Sequence, residues 1–505
     1  MYTVRIHSQL EDRLDAEFYN PEALKTVQKI DGLGNTKRLG QLIADGYRVV
    51  YHGTDSIKGI PEEKLLPFLS PTQIDDQGSI DFSAADKLPL YYKDDYPKGL
   101  AVAGELLIEV KGNVSKVGVV PEAFPKHLMV SGSLYKASFN ADTNSRYVLA
   151  FLKSKHGQIL KNRLTSNTII NYIAKDALYS IPLFAANSDV QKYIGNKVHQ
   201  AERLRAWATT RGEAIGALVA NEAMRSACAA TEKQHNRPQL EDLSHRLDPK
   251  YYGNRAVAVL RQAKVLGKPL SSLVKTIANG FEERIFFNEG RDYITVTEVS
   301  SGRLDLSSAP KIAHTTEVPD KAIIHERCAL IVRTGSIGTA VKVDVRDRGA
   351  VISSHLIRLE FEDEAAAAAV AAYFCSPAGK ILQHKISYGA VQPQIGQDEL
   401  LALPIPQFVL DVKEQILALV TEQERAIRAS KSLTAAAKYL VESLIEGQLT
   451  EAELLTAEKA LQAGNDRLDR LILSRLNTDG IDGQGPALFG DLDELYQLLT
   501  QAEGD

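Results

Sequence analysis

The sequence predicts a mixed α/β (α+β) protein in which two similar modules are each followed by a long helix. Three observations support this class. Short β-type runs alternate with longer helical stretches, parts of the chain recur at a nearly constant offset, and two long segments contain no proline. With 505 residues, the chain is long enough for two to four domains, each with its own core.

Six short runs have the composition of strands and are bounded by Gly, Pro, Asn or Asp. They are Leu106–Val110, Val117–Val120, Tyr293–Val296, Leu330–Arg333, Ala340–Val343 and His355–Phe361. Helical stretches are predicted at 146–163 and 364–385. This mixture excludes a pure β-sandwich and a pure helical bundle.

Four blocks of the chain occur twice. The block RLDAEFY at 13–19 corresponds to RLDPKYY at 246–252, and LIEVKGNV at 107–114 to LIVRTGSI at 330–337. Ile159-Leu160 recurs at 381–382, and Ile181-Pro182 at 403–404. The offset is 233 for the first block, 223 for the second and 222 for the others, so a length difference lies between the first two blocks. The chain is therefore predicted to contain one fold twice.

The proline-free segments, 189–231 and 411–446, are predicted to be long helices. At 1.5 Å per residue they would be about 65 and 54 Å long. Asp189 and Asp411 stand where N-caps belong. The second segment has the 4,3 spacing of a coiled-coil seam at Ile416, Val420, Gln423, Ile427, Ser430, Thr434, Ala437, Val441 and Leu444.

These features divide the chain into five parts. The modules are 1–186 and 238–410, the helices that follow them are 187–237 and 411–446, and the remainder is 447–505. If the two helices pair antiparallel, the modules they separate are related by an approximate twofold axis. Two similar faces at a fixed separation are what reading two DNA half-sites requires.

Composition and charge restrict the class of protein further. Apolar residues make up 44% and charged residues 24%, as in ordinary globular chains. The three cysteines are scattered without a CxxC pair, which argues against a disulfide framework or a cysteine zinc site. The start, MYTVRIHSQL, has no apolar signal core, and the longest apolar run, 365–375, is too short to span a bilayer. We therefore expect a cytoplasmic protein with no membrane partner.

The net charge of −5 conceals an uneven distribution. Residues 447–505 hold 4 basic and 12 acidic residues, whereas 1–446 hold 55 basic and 52 acidic residues, a net charge of +3. The segment 447–505 is predicted to form helices at 451–464, 467–475 and 491–502. Its role is open among partner docking, autoinhibition by imitating the charge of DNA, and solubility alone. A mildly basic body permits DNA binding without demonstrating it.

Taken together, these motifs resemble the specificity subunit of type I restriction-modification systems. The matching features are the RLD-x-x-[FY]-Y openings, the strand–glycine-turn–strand blocks LLIEVKGNVSKVGVV and LIVRTGSIGTAVKV, and SYGAVQPQIGQDELLALPIP before the second long helix. The resemblance covers about 1–446. Residues 447–505 depart from the common plan, and the polar residues at 167–171 differ from those at 389–393.

The resemblance implies that each module is a target recognition domain for one half of a split DNA sequence. It implies that the long helices space the halves and bind DNA adenine methyltransferase subunits, with two expected. A restriction-translocase subunit would join through the methyltransferases. The chain itself would be non-catalytic, with no cofactor of its own, and S-adenosylmethionine, ATP and Mg²⁺ would belong to the partner subunits.

The candidate DNA contacts lie mainly in two glycine turns, because glycine allows close backbone approach and the flanking residues suit phosphates or base edges. They are Lys111, Asn113, Ser115 and Lys116 in the first turn and Arg333, Thr334, Ser336 and Thr339 in the second. Arg reads guanine, and Gln reads adenine. That chemistry adds Arg48, Arg284, Gln392 and Gln394, with Tyr51 and Thr54 beside Arg48.

Three lysines are candidate phosphate contacts: Lys58, Lys342 and Lys385. The single tryptophan, Trp207, falls in the first long helix and is a candidate anchor for a protein partner. For each of these residues, an ordinary surface or packing role is the alternative.

Two other functions remain open at this stage. Asp95, Glu109 and Lys111 have the Asp…Glu-x-Lys spacing of metal-dependent nucleases. In the repeat, however, Glu109 and Lys111 become Val332 and Thr334, so the putative metal ligands are not retained. No NPPY-type, GxGxxG, GxxxxGK[ST] or HExxH motif occurs, and we expect no catalytic or metal site. A coiled-coil scaffold without DNA binding is the third reading.

Overall fold

A computed structural model describes residues 13, 15–51, 53, 55–166, 170–244, 246–389 and 391–504. The chain divides into two compact units. Unit 1 is built from 1–207 and 426–505, and unit 2 from 208–425.

The first module, in unit 1, leads into a long helix. Its elements are α1 Pro21–Asp31, β1 Thr36–Arg38, α2 Leu39–Leu42, β2 Ile43–Tyr47, β3 Leu65–Leu69, β4 Asp86–Pro89, α3 Tyr92–Asp95, β5 Leu106–Glu109, β6 Val117–Val119, β7 Met129–Val130, β8 Leu134–Phe139, α4 Ser145–Lys153, α5 Lys155–Arg163, α6 Lys175–Tyr179, β9 Pro182–Phe184 and α7 Ser188–Leu218. The helix α7 continues past residue 207 into unit 2.

The second module, in unit 2, has a closely similar element order. Its elements are α8 Glu222–Ala229, α9 Asn254–Lys264, β10 Lys268–Pro269, β11 Val274–Asn279, β12 Arg291–Ile294, β13 Lys311–Ile312, β14 Cys328–Val332, β15 Ala340–Lys342, β16 Val351–Ile352, β17 Leu356–Phe361, α10 Glu364–Cys375, α11 Pro377–Ile386, α12 Gln397–Leu401, β18 Pro404–Ile405, α13 Gln407–Asp411 and α14 Lys413–Glu446. From residue 426 onward α14 belongs to unit 1.

The sheets of the two modules correspond one to one. A four-stranded sheet has the order β2-β8-β5-β6 in unit 1 and β11-β17-β14-β15 in unit 2. A three-stranded sheet has the order β4-β3-β7 or β13-β12-β16, and its central strand pairs antiparallel on one side and parallel on the other. The pairs β1-β9 and β10-β18 complete each set. The prediction of a duplicated mixed fold is confirmed.

The opening motif of each module holds a helix end. Arg13 pairs with Asp15 at 2.8 Å and donates to the carbonyls of Leu164 and Thr165 at 2.9 and 2.7 Å, just after α5. Its counterpart Arg246 pairs with Asp248 and donates to the carbonyls of residues 386 and 387 at the end of α11. The arginine of each RLD motif therefore donates hydrogen bonds to backbone carbonyls that would otherwise be unpaired at a helix end.

Each module contains a sharp break that the periodicity does not predict. The stretch predicted as helix at 146–163 splits into α4 and α5, and the stretch at 364–385 into α10 and α11. Ser154 and Ser376 sit at the breaks, and each hydroxyl accepts the N–H of a glycine three residues later, at 3.1 and 3.2 Å. A serine that caps the second helix competes with continuation of the first.

The long helices also differ from the prediction at their ends. The segment 189–231 forms α7 and α8 rather than one helix, because Asn221 caps a new helix by accepting the N–H of Met224 at 2.8 Å. At the start of α7, Asn187 rather than Asp189 accepts a first-turn N–H, at 2.9 Å. Asp411 ends α13, and α14 begins at Lys413.

The two long helices pack antiparallel in both units. In unit 1, Arg205 donates to the Thr434 hydroxyl at 2.7 Å. In unit 2, the Gln423 amide donates to the Ala208 carbonyl at 2.9 Å. The nine predicted seam residues of α14 are buried or half-buried. The predicted antiparallel coiled-coil pairing is therefore present.

Residues 447–505 add further elements to unit 1: α15 Glu451–Gln462, α16 Arg467–Ser474, β19 Leu476–Asn477, β20 Gly480–Ile481 and α17 Leu492–Gly504. Asp469 of α16 is 2% exposed and binds Lys197 of α7 through both carboxylate oxygens at 2.7 Å. The hydroxyls of Tyr193 and Tyr496 donate to the same carboxylate. This C-terminal segment is thus a packed layer of unit 1.

Among the described residues, no single helix has both the length and the apolar character needed to cross a bilayer, although the pair α10 and α11, bent by 79°, meets both criteria together. Most residues of α10 and α11 are buried in the core of unit 2.

Candidate nucleic-acid interface

The turn between β5 and β6 in unit 1, which we call loop 1 (residues 110–116), is held by a buried carboxylate. Glu109 is 4% exposed and accepts the backbone N–H groups of Asn113, Ser115 and Lys116, each at 3.0 Å. Gly112 has φ +122°, and a Cβ there would lie 2.6 Å from the Glu109 Oε1 atom. The loop therefore needs glycine at this position for two reasons, backbone conformation and space.

A buried lysine contacts the same loop. Lys161 of α5 is fully buried and donates from Nζ to the carbonyls of Val114 and Ser115 at 3.0 and 3.2 Å. Burial and the nearby charge of Lys153 together lower the pKa of Lys161 to about 7, although the Glu109 carboxylate opposes that shift. Glu109 and Lys161 thus fix loop 1 through its amides and its carbonyls.

This arrangement bears on the nuclease reading. Glu109 is engaged by three amides, and Asp95 is exposed on the short helix α3. Within the described part of the chain, no group of three or more His, Cys, Asp or Glu side chains is arranged to hold a metal ion. Glu109 has a structural role, because its carboxylate oxygens accept hydrogen bonds from the backbone of loop 1.

A second segment pairs with loop 1. Gly112 donates to the Asn171 carbonyl at 3.1 Å, and Ile173 donates to the Val110 carbonyl at 2.9 Å, which places Tyr172 across from Lys111. The guanidinium of Arg48 donates to the Tyr172 hydroxyl at 3.3 Å and lies 5.2 Å from its ring centroid. The structure therefore brings Arg48 and the exposed Lys111 and Asn113 to one site, which we call face 1.

The counterpart in unit 2, loop 2 (residues 333–339), is paired in the same way. Gly335 donates to the Pro393 carbonyl at 3.1 Å, and Ile395 donates to the Arg333 carbonyl at 2.9 Å. Thr334 lies across from Gln394, which exchanges two backbone hydrogen bonds with Tyr388. Arg333, Ser336, Thr339, Gln392 and Gln394 are thereby brought to one site, which we call face 2.

The segment around Arg284 also reaches face 2. Arg333 donates to the Ser354 carbonyl at 3.3 Å, and the Ser354 hydroxyl donates to Glu282 at 3.3 Å. Glu282 pairs with Arg284 at 2.8 Å, while the Arg284 side chain remains 83% exposed. Arg284 is therefore on the surface, with its charge partly balanced by an acidic neighbour.

Exposed apolar side chains flank both faces, and sequence reasoning missed them. Val391 is 98% exposed beside Gln392, and Ile285 and Phe286 are 66% and 46% exposed beside Arg284. In unit 1, Ile170 is 52% exposed beside the segment that pairs with loop 1. Apolar groups that face solvent among cations and amides suit contact with thymine methyl groups or unstacked bases. Tyr172 was missed too, although the offset of 222 aligns it with Gln394.

Several residues predicted to contact DNA form contacts within the fold. Tyr51 packs on Phe68, Tyr92 and Tyr96 and donates its hydroxyl to the Val130 carbonyl at 2.8 Å. The Lys116 side chain pairs with Asp76 at 2.5 Å, and the Ser115 amide is taken by Glu109. Lys58 is exposed, and Thr54 lies outside the described residues.

Two predicted phosphate contacts are buried cations. The Lys342 side chain is 2% exposed and pairs with Glu364 at 2.6 Å. Lys385 lies 3.5 Å from the Tyr251 ring centroid and donates to the Tyr251 carbonyl, as Arg163 does at Phe18 in unit 1. Burial lowers the pKa of Lys385 to about 8. Neither lysine presents its charge to solvent.

Trp207, the predicted partner anchor, is 5% exposed on α7. Its ring is therefore buried and does not project into solvent as an anchor for a partner would.

Comparison with known proteins gives distant structural similarities. No family model matches the chain, and no curated relative matches it. A type I restriction-modification S subunit from M. genitalium is 13% identical, with a TM-score of 0.35 over 81% of this chain and 95% of that one. An HsdS subunit from Thermoanaerobacter tengcongensis is 14% identical, with a TM-score of 0.28 over 82% and 97%.

A third similar structure comes from work on complex assembly and conformational transition of the type I restriction-modification system. It is 14% identical, with a TM-score of 0.27 over 82% of this chain and 98% of that one. All three similarities lie in the family that the sequence motifs resemble. The identities and TM-scores are low, and the functional argument therefore rests on this chain's own residues and geometry.

Proposed function

We propose that this chain is the DNA-specificity subunit of a type I restriction-modification complex, in which each module reads one half of a split target. The observation that carries the proposal is the duplicated site. Two modules with the same sheet orders each present a glycine loop, paired to the same second segment, with cations and amides exposed around it. The RLD openings and the helices that follow both modules agree with the resemblance of the sequence to that family.

Face 1 offers a guanidinium, an ammonium and a carboxamide: Arg48, Lys111 and Asn113. Face 2 offers Arg284, Arg333, Gln392 and Gln394. Cationic groups set the register on the phosphates, and guanidinium and carboxamide groups discriminate guanine from adenine in the major groove. Because the exposed groups of the two faces differ, the two halves of the target are expected to differ in sequence.

The chain's role in methylation is indirect. Two adenine methyltransferase subunits would bind the long helices, flip an adenine out of each half-site and use S-adenosylmethionine. A restriction-translocase subunit, with ATP and Mg²⁺, would join through them, in the cytoplasm. The residues 1–446 carry a net charge of only +3, so the chain alone is expected to bind DNA weakly and to depend on its partners for most phosphate neutralisation.

The test is co-expression with a methyltransferase subunit, followed by sequencing of methylated adenines across the host genome. A split motif is expected. Replacing residues 1–186 with the first module of another such subunit should change one half of the motif and leave the other half intact. A continuous motif, or a change in both halves, would overturn the proposal.

A further inference from the structure

We propose that the main-chain amides of loop 2 bind an oxyanion, a phosphate of the DNA backbone, whereas those of loop 1 do not because Glu109 already occupies them. The identification of the anion as DNA rests on the proposed function. The existence of an oxyanion site rests on the loop itself.

The amides of the two loops differ in whether they have an acceptor. In unit 1, three N–H groups of loop 1 bind the Glu109 carboxylate. At the offset of 223, their counterparts are Ser336, Gly338 and Thr339. Within the described part of the chain, the N–H groups of these three residues donate to no acceptor, and Val332, the counterpart of Glu109, has no polar side-chain atom. Unit 2 therefore keeps the donors and lacks the internal anion.

The backbone of loop 2 contains two glycines with positive φ, Gly335 at +91° and Gly338 at +103°. Turns with residues in the left-handed region can form concavities whose main-chain N–H groups bind anions. Ser336 and Thr339 lie in the same loop, and their hydroxyl groups are further hydrogen-bond donors.

The charged residues beside the two loops also differ. A Cβ at Gly338 would lie 3.3 Å from the Lys380 Cγ atom, so the exposed Lys380 side chain runs beside the loop. Its counterpart in unit 1, at the offset of 222, is the neutral Gln158. Among the buried residues, the charges are in unit 1 instead: Glu109 and Lys161 correspond to the neutral Val332 and Gln383 of unit 2. An anion at loop 2 therefore lies beside Lys380 and meets the neutral Val332 where loop 1 has the Glu109 carboxylate.

The main test exchanges the buried pairs in the full chain. The variant V332E/Q383K gives unit 2 the internal anion of unit 1, and E109V/K161Q removes it from unit 1. The probe is a short fluorescent duplex titrated at several salt concentrations. For V332E/Q383K, we expect the slope of log K against log salt to become shallower by about 0.9, the loss of one phosphate contact. For E109V/K161Q, we expect the slope to become steeper.

A surface variant makes the test independent of core packing. K380Q installs the residue found in unit 1, and K264Q removes an equal charge from an exposed position on α9. K380Q should weaken duplex binding and make the salt slope shallower, while K264Q should leave both at the wild-type value. If K380Q and V332E/Q383K both keep the wild-type slope, loop 2 is not a phosphate site, and wild-type binding of the duplex would still stand.

A second probe separates the anion site from the DNA assignment. Sodium sulfate should raise the thermal unfolding midpoint of the wild-type chain and have a smaller effect on V332E/Q383K, because a ligand that binds only the folded state stabilises it. An equal effect on both chains would overturn the oxyanion site. If sulfate discriminates between them but no duplex binds, even with methyltransferase present, the site stands and its assignment to DNA is overturned together with the proposed function.

Discussion

At the scale of single residues, loop 1 depends on two buried ionisable groups with different roles. Glu109 satisfies three amides, and Lys161 satisfies two carbonyls of the same turn. A buried polar group is stable only when it is hydrogen-bonded, and each of these groups is the partner of several others. The loop is therefore preformed before any ligand arrives.

The pKa of Lys161 makes the stability of unit 1 depend on pH. The folded-state pKa is lowered to about 7 from 10.5, so between these values the unfolded chain binds one more proton than the folded chain. Stability should rise with pH in this window, by up to about 1.4 kcal/mol per pH unit. The measurement is urea unfolding followed by the fluorescence of Trp207, the only tryptophan, which lies in unit 1.

The matched variants for that measurement are K161M and K385M. K161M should abolish the rise seen by Trp207, whereas K385M alters a lysine of unit 2 and should leave it unchanged. A rise that persists in K161M would assign the titration to another group.

Gly112 is expected to tolerate no side chain. In G112A, the left-handed backbone costs about 1 kcal/mol, and the displaced Glu109 loses amide contacts that add to this cost. Gly34 has φ +82°, and a Cβ there would meet no atom within 4 Å, so G34A carries the backbone cost alone. Urea unfolding monitored by Trp207 should show the larger loss in G112A. Equal losses would mean that Glu109 accommodates the methyl group.

At the scale of elements, the ion pair of Lys197 with Asp469 is buried where the C-terminal segment packs on α7. Lys197 is 1% exposed and has Asp469 as its carboxylate partner. Burial alone would raise the pKa of Asp469, but the Lys197 charge and the hydrogen bonds from Lys197, Tyr193 and Tyr496 outweigh burial and lower it. Because the folded-state pKa is depressed, the stabilisation is present above the ordinary value of 3.8 and is lost as pH falls through the folded-state value.

Removing the Asp469 charge should therefore loosen this layer strongly. D469N leaves Lys197 buried without a counter-charge, which typically costs about 3–5 kcal/mol. D482N makes the same change in the exposed pair with Arg475 and should cost far less, because solvent screens that pair. Limited proteolysis of residues 450–504 reports the difference. If both variants resist protease equally, the buried pair does not hold the segment in place.

Many elements could be predicted from the sequence, because alternating or periodic apolar residues decide them locally. The strand runs at 106–110 and 117–120 and the seam of α14 are examples. The breaks at Ser154 and Ser376 could not, because a serine hydroxyl that caps a helix outweighs a continuous helical pattern. The role of Glu109 was also hidden, since a carboxylate at a strand end looks the same whether it binds a metal ion or three amides.

At the scale of the whole molecule, the acidic segment is part of unit 1 rather than an appendage. A chain truncated after residue 448 should lose the partners of Lys197, Tyr193 and Asn187 and expose the part of α7 that bears them. Hydrogen exchange should then quicken in the first half of α7 and in unit 1, while the sheet β11-β17-β14-β15 keeps its protection. Unchanged exchange in α7 would show that this layer adds no stability.

Unit 1 is discontinuous along the chain, since its two stretches are separated by all of unit 2. During synthesis, the first 207 residues leave the ribosome well before residues 426–505 exist, a delay of about 10–40 s at ordinary elongation rates. Unit 2 lies within one uninterrupted stretch and can be completed first. A nascent chain would therefore contain an incomplete unit 1 whose apolar helix surface is exposed to solvent. Chaperone binding to the nascent chain is expected mainly in this interval.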